Sequence, residues 1–153
     1  LCFNNCFFET NQTAIKARLY GNLVIDGCYF EDNREYIIDI FCPSNEVRPL
    51  LSINNSFLFP NPKFSPPIKT FIKQNSYSTV SYDIRNNLII NINTLTPLDL
   101  YISIDYFIYA EYGNTIIKAE NNRLQDPSVK FPICSVVPVE SSYFNNDFTY
   151  PST

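Results

Sequence analysis

Apolar and polar positions alternate in short bursts along this chain, and three of the bursts are copies of one eleven-residue phrase. Leu1-Cys2-Phe3-Asn4-Asn5-Cys6-Phe7-Phe8-Glu9-Thr10-Asn11 returns as Leu23-Val24-Ile25-Asp26-Gly27-Cys28-Tyr29-Phe30-Glu31-Asp32-Asn33. It returns again as Leu51-Ser52-Ile53-Asn54-Asn55-Ser56-Phe57-Leu58-Phe59-Pro60-Asn61. Positions one and three are apolar in every copy, which predicts a short strand with one buried face. Asn-Asn, Asp-Gly and Asn-Asn follow, residue types that tolerate a left-handed backbone, so the chain is expected to turn a corner there. Positions six and eight then place small and large residues inward on a second strand. A unit recurring at this period predicts a solenoid, in which each coil buries its apolar side only by stacking on the next.

Position seven is out of phase with the buried face. Phe7, Tyr29 and Phe57 should therefore form an outward aromatic ladder, either stacked on the sheet surface or covered by another molecule.

The phrase, Asn or Asp followed after one residue by Cys, an aromatic and Phe, with Leu-x-Ile before it, resembles the coils of right-handed parallel β-helix proteins with the pectate-lyase-like fold. It is most similar to repeats of bacterial polymorphic outer-membrane proteins and of protist surface proteins. The resemblance covers residues 1 to about 65 and lacks the Gly-Gly-Ala-Ile element often seen in the polymorphic proteins. It implies a stacked coil of about three turns.

Residues 14–20 alternate and predict a third strand for the first coil, and residues 36–41 the matching strand of the second. An insertion at 42–49 lengthens that coil and reads as a spacer or a projecting loop. Pro residues crowd 60–67 and mark a boundary. No copy of the phrase is visible beyond it, and the grammar reads as hairpins. Residues 68–74, 76–84, 88–93 and 98–112 alternate like strands, with Asn86-Asn87 and Thr96-Pro97 as turns. Gly113-Asn114 is a two-residue hairpin signal leading into 115–120. With 129–139 these strands predict an antiparallel β-sandwich-like domain, or else irregular coils capping the helix. The expected organisation is all-β: β-helix repeats over 1–65, the antiparallel domain over 66–139, and a tail or exchanged arm over 140–153.

Composition bears on compartment and partners. Eleven basic and 15 acidic residues give a net charge of −4 with no basic run, which argues against nucleic acid. The longest apolar stretches fall short of the ~20 residues of a membrane-spanning helix. The chain has no Met, so Leu1 reads as a processed terminus or the start of an excerpt. Five cysteines show no CxxC pair and there is no His, so neither a metal nor a cofactor is expected. Cys6 and Cys28 share a repeat position, as a buried thiol ladder or a disulfide whose parallel Cβ vectors disfavour it. Cys42 and Cys134 are better placed for a long-range staple. Asn11-Gln12-Thr13 and Asn54-Asn55-Ser56 are N-glycosylation sequons, and with the cysteines they point to an extracellular or cell-surface location.

The expectation for function is an extracellular structural subunit. A coil beginning at Leu1 and Phe3 offers an edge on which another subunit stacks, head to tail, into a homopolymeric filament; the chain serves equally as part of a surface adhesin. The alternatives are a carbohydrate-binding module, with Phe7, Tyr29 and Phe57 or Tyr101 and Tyr109 as stacking platforms, and a segment of a viral spike. A polysaccharide-active enzyme needs clustered carboxylates. Asp26, Glu31, Asp32, Glu35 and Asp39 beside Arg34 are the available set, and they read as bend and surface residues. No catalytic residue is assigned.

Overall fold

The computed structural model describes residues 1–31, 33, 36–44, 46–59, 70–90, 106–125 and 137–149. The first coil is β1 (Cys2–Asn4), β2 (Phe7–Glu9) and β3 (Thr13–Arg18). The second is β4 (Leu23–Asp26), β5 (Tyr29–Glu31) and β6 (Tyr36–Cys42), and the third β7 (Leu50–Asn54), β8 (Phe57–Phe59) and β9 (Thr70–Ser76). The same order continues through β10 (Val80–Arg85), β11 (Leu88–Ile90) and β12 (Tyr106–Tyr112). Then come β13 (Thr115–Glu120), β14 (Arg123–Gln125), β15 (Glu140–Phe144) and β16 (Asp147–Thr149). The strands sort into three sheets. The first runs β1-β4-β7-β10-β13-β15, the second β2-β5-β8-β11-β14-β16, and the third β3-β6-β9-β12. The first four turns thus visit the three sheets in rotation, and the described residues of the last two visit the first and second, each turn one strand spacing further along the stack.

A left-handed residue between the first and second strands makes the corner in every coil. Asn5, Gly27, Asn55, Asn86, Asn121 and Asn145 have φ of 52°, 61°, 50°, 54°, 53° and 51°. Their backbone N–H groups keep the parallel ladder unbroken around the bend: Asn5 donates to Asp26 O at 2.9 Å, Asn55 to Arg85 O at 3.0 Å and Asn121 to Phe144 O at 3.1 Å. Asn and Gly occupy these places because they reach that backbone region at low cost.

The antiparallel domain expected over 66–139 is not what the described residues form. Every strand pair among them is parallel, and β7 hydrogen-bonds directly to β10 across the expected boundary. The strand-corner-strand unit that the phrase encodes occurs six times among the described residues. Phe3, Ile25, Ile53, Ile84, Ala119 and Tyr143 occupy one register line, carried strand to strand through all six coils. Gly113 does not close a hairpin. β12 lies in the third sheet and β13 in the first, where Ile108 pairs with Ile72 and Ile116 with Ser81. The physical reason is that two-fold alternation and a positive-φ glycine serve a coil corner as well as a hairpin turn. Residues 68–69, 91–93, 98–105 and 129–136 of the expected strands lie outside the described residues. Residues 140–149, read as a tail or arm, contribute β15 and β16.

The interior is filled by inward rows. Leu23, Ile25, Phe30, Ile38, Ile40, Leu51, Ile53, Ile84 and Ile89 are at most 1 % exposed. Each such side chain contributes roughly 1.5–3 kcal/mol on burial. Ile15, Ile38, Ile72 and Ile108 form one such row along the third sheet. Ile37, Phe71 and Phe107 alternate out of phase with that row and are buried too, with Phe71 and Phe107 ring centroids 5.1 Å apart.

Candidate functional site

Two side-chain ladders and one uncovered edge carry the features of interest. The first ladder follows each left-handed corner residue and is made of Cys6, Cys28, Ser56, Asn87, Asn122 and Asn146. Cys28 N donates to Ser56 Oγ at 3.1 Å, and Ser56 N to Asn87 Oδ1 at 2.9 Å. Asn87 Nδ2 donates to Asn122 Oδ1 at 3.0 Å and back to Ile53 O at 2.8 Å. Asn122 Nδ2 repeats the pattern onto Asn146 Oδ1 at 2.9 Å and Ile84 O at 2.8 Å. Buried amides are tolerable here because each finds several partners. Sequence reasoning misses this ladder beyond Ser56. Its signal is the Asn-Asn dipeptide at 86–87, 121–122 and 145–146, where the second Asn bonds inward and the first bends.

The outward aromatic ladder lies where expected. Phe7 and Tyr29 ring centroids are 4.7 Å apart at 7°, and Tyr29 and Phe57 are 4.7 Å apart at 9°. The rings lie face on face along the stack, so the ladder shows mainly ring edges to solvent. A sugar stacks on a ring face, and the faces of Tyr29 are already covered by its neighbours. Tyr109 is 40 % exposed, and Tyr101 lies outside the described residues.

At the β1/β2/β3 edge the core-facing residues are incompletely covered. Phe3, Cys6 and Phe8 pack against the core yet stay half-buried. Their counterparts one coil on, Ile25, Cys28 and Phe30, are 0 %, 2 % and 0 % exposed. Leu1 is 66 % exposed, and its amino group donates to Asn22 O at 2.9 Å. Phe3 and Phe8 meet edge to face at 5.5 Å, and Phe8 stacks on Phe30 at 4.8 Å. At the opposite edge Tyr143 and Phe144 are 46 % and 68 % exposed.

Cys2, Cys6, Cys28 and Cys42 are free thiols. Cys28 Sγ donates to Phe3 O at 3.4 Å, and Cys6 Sγ to Asn4 O at 3.4 Å. Burial pushes the Cys28 and Cys42 thiol pKa values up; for Cys42 the Ser76 and Ser78 hydroxyls pull the other way. Cys134 lies outside the described residues.

The two sequons occupy different settings. Asn11 is half-exposed at the corner between β2 and β3, its Nδ2 donating to Glu9 O at 3.1 Å. Asn54 is half-buried on the outer face of β7. Its Nδ2 donates to Ser52 Oγ at 2.9 Å, and its Oδ1 is shielded without a partner.

Of the carboxylates, Asp26 Oδ1 accepts from Asn55 Nδ2 at 2.8 Å, and Asp39 faces Lys16 at 3.8 Å. Asp32, Arg34 and Glu35 lie outside the described residues. Among the described residues no group of three His, Cys, Asp or Glu side chains converges on a possible metal position, and no helix is long and apolar enough to cross a membrane. What the described residues hold in common is chemistry directed along the stack, from one coil to the next. No family model, no curated protein and no solved structure matches this chain.

Proposed function

We propose that the chain is an extracellular structural subunit, a length of right-handed parallel β-helix that stacks through its coil ends. It does so head to tail in a homopolymeric filament or as one section of a surface adhesin. The observation that carries this reading is the incomplete cover over Phe3, Cys6 and Phe8, whose counterparts in the next coil are fully enclosed. A further coil on the β1/β2/β3 edge completes burial of those rings, worth about 1 kcal/mol for each half-covered aromatic. It also pairs the outer backbone groups of β1, which otherwise form an open template.

The far edge supplies the matching surface. Asn146 sits in the ladder with its Nδ2 bonded back to Ala119 O at 3.0 Å, as Asn87 bonds back to Ile53 O. In the interior the backbone N–H at this position donates to the next coil's side chain, as Asn122 N does to Asn146 Oδ1 at 3.0 Å. In a head-to-tail joint the residue facing Asn146 is Cys6, whose sulfur is a weak acceptor, so the joint is weaker than the interior. A heterologous contact of this kind does not close on itself and propagates as a filament. The sequons and the small charged fraction support an extracellular setting.

Sedimentation velocity on the unglycosylated wild-type chain and on unglycosylated Phe3→Asp tests this. Concentration-dependent assembly is expected for the wild type and loss of it for the variant, whose charge cannot be buried unpaired in the joint. Equal assembly of a folded Phe3→Asp chain would refute stacking through this edge.

A further inference from the structure

Asn11 and Asn33 stand at the same place in successive coils, each two residues past Glu9 and Glu31, which pair in register. Their settings differ. Asn33 is 1 % exposed, and its Nδ2 reaches across to the preceding coil at Phe8 O, 3.4 Å away. Asn11 has no described coil before it; its amide turns to Glu9 O of its own coil and stays half-exposed. A coil placed on the β1/β2/β3 edge therefore encloses Asn11 as the first coil encloses Asn33.

Asn11 is also the acceptor of the sequon Asn11-Gln12-Thr13, in a corner where Thr10 has φ 57° and Gln12 is exposed. We infer that Asn11 carries an N-linked glycan and that this glycan caps the stack: glycosylation of Asn11 and occupation of the β1/β2/β3 edge by another coil exclude each other. The inference rests on the stacking role proposed above and assigns its regulation.

The chemistry is a glycosyl transfer from a lipid-diphosphate-linked oligosaccharide. A bond forms between Asn11 Nδ2 and the anomeric carbon of the first sugar. The bond from that carbon to the diphosphate oxygen breaks, the lipid diphosphate leaves with its electron pair, and one amide proton passes to a base. Nδ2 keeps one hydrogen, so its bond to Glu9 O survives in the open edge. In an occupied edge no such accommodation exists, because the space around the amide is filled, as at Asn33, and an enclosed sugar loses its water partners. The second sequon does not compete for this role. Asn54 lies on the lateral face of β7, and its Ser56 is locked in the ladder, accepting from Cys28 N and donating to Asn54 O at 2.8 Å.

The test compares the chain secreted from an N-glycosylating eukaryotic cell as wild type, as Thr13→Ser, which keeps the sequon, and as Thr13→Ala, which removes it. Unglycosylated wild type from a bacterial host controls for the substitution. Site-resolved glycopeptide mass spectrometry should find a glycan on Asn11 in the first two forms. In sedimentation velocity those forms should stay monomeric at concentrations at least ten-fold above those at which Thr13→Ala and the bacterial chain assemble. An unmodified Asn11 in the secreted wild type overturns the inference. Assembly by Asn11-glycosylated chains as readily as by Thr13→Ala overturns it too, while leaving the stacking role intact. Failure of every form to assemble refutes the stacking role and the capping together.

Discussion

Asn87 and Asn122 lie in successive coils and are joined twice: Asn87 N donates to Asn122 Oδ1 at 3.1 Å and Asn87 Nδ2 to the same oxygen at 3.0 Å. Both residues are 2 % exposed. Truncating Asn122 strands two buried donors on Asn87 and the Ile84 carbonyl it serves. Asn122→Ala should therefore cost about 2–4 kcal/mol, measured as a fall in the urea midpoint with an unchanged slope. Asn122→Ser should recover part of this, because Ser56 shows that a hydroxyl oxygen can accept the backbone N–H at this position. A loss below about 0.5 kcal/mol for the alanine variant would mean that the ladder adds nothing to stability.

The corner at Gly113 predicts a second effect of local origin. Its φ is +80°, and a Cβ there would meet Ser76 O at 2.5 Å and Ser78 O at 2.6 Å. These are backbone atoms of the preceding coil and cannot swing aside. Gly113→Ala should lower stability by about 2 kcal/mol or more, combining strain and overlap. At Gly27 an added Cβ meets the end of the Asn5 side chain, which can move, so Gly27→Ala should cost less. Thermal unfolding of the two variants side by side ranks them.

How far these coils were legible depends on which positions carry their signal. The first three copies are readable because Leu23 and Leu51, Ile25 and Ile53, and Phe30 and Leu58 keep large apolar residues on the same register lines. In later coils Tyr82, Ala119, Ser141 and Tyr143 interrupt the first two lines, while Ile84 and Ile117 on those lines and Ile89 and Leu124 on the third stay apolar, so the pattern weakens without vanishing. What persists unchanged is the left-handed residue and an apolar residue on the second-strand line, from Leu58 to Ile89, Leu124 and Phe148. An isolated Asn-Asn reads as an ordinary turn, so the coils containing Asn86 and Asn121 read as part of an antiparallel domain and the one containing Asn145 as a tail or exchanged arm. Parallel and antiparallel strands share one alternation, and only the partner, remote in sequence, distinguishes them. The uncovered edge was legible at Phe3 from its place in the first copy. The contrast between Asn11 and Asn33 needed coordinates, since both are the same residue in the same phrase.

The thiols give a pH-dependent prediction. Burial raises the Cys28 and Cys42 pKa values in the folded state. An acid whose pKa is raised on folding stabilises the fold while it is neutral. That contribution is complete below the unfolded thiol pKa of roughly 8.5 and is lost as pH rises through the folded values. Urea midpoints should hold between pH 7 and 8 and fall above about pH 9. The fall should be smaller in Cys42→Ala, which has one fewer thiol to ionise; an identical fall in both chains would show that Cys42 has no part in it. Exposed Cys2 should react with iodoacetamide before either buried thiol.

The most direct measurement of the central claim is cryo-electron imaging of the unglycosylated chain at increasing concentration. Stacking through the coil ends predicts unbranched filaments whose strands run across the long axis, with a repeat of about 4.8 Å along it from coil to coil. Phe3→Asp should leave only short particles. Discrete single particles of the wild type at every concentration, or filaments whose strands run along the axis, would contradict it.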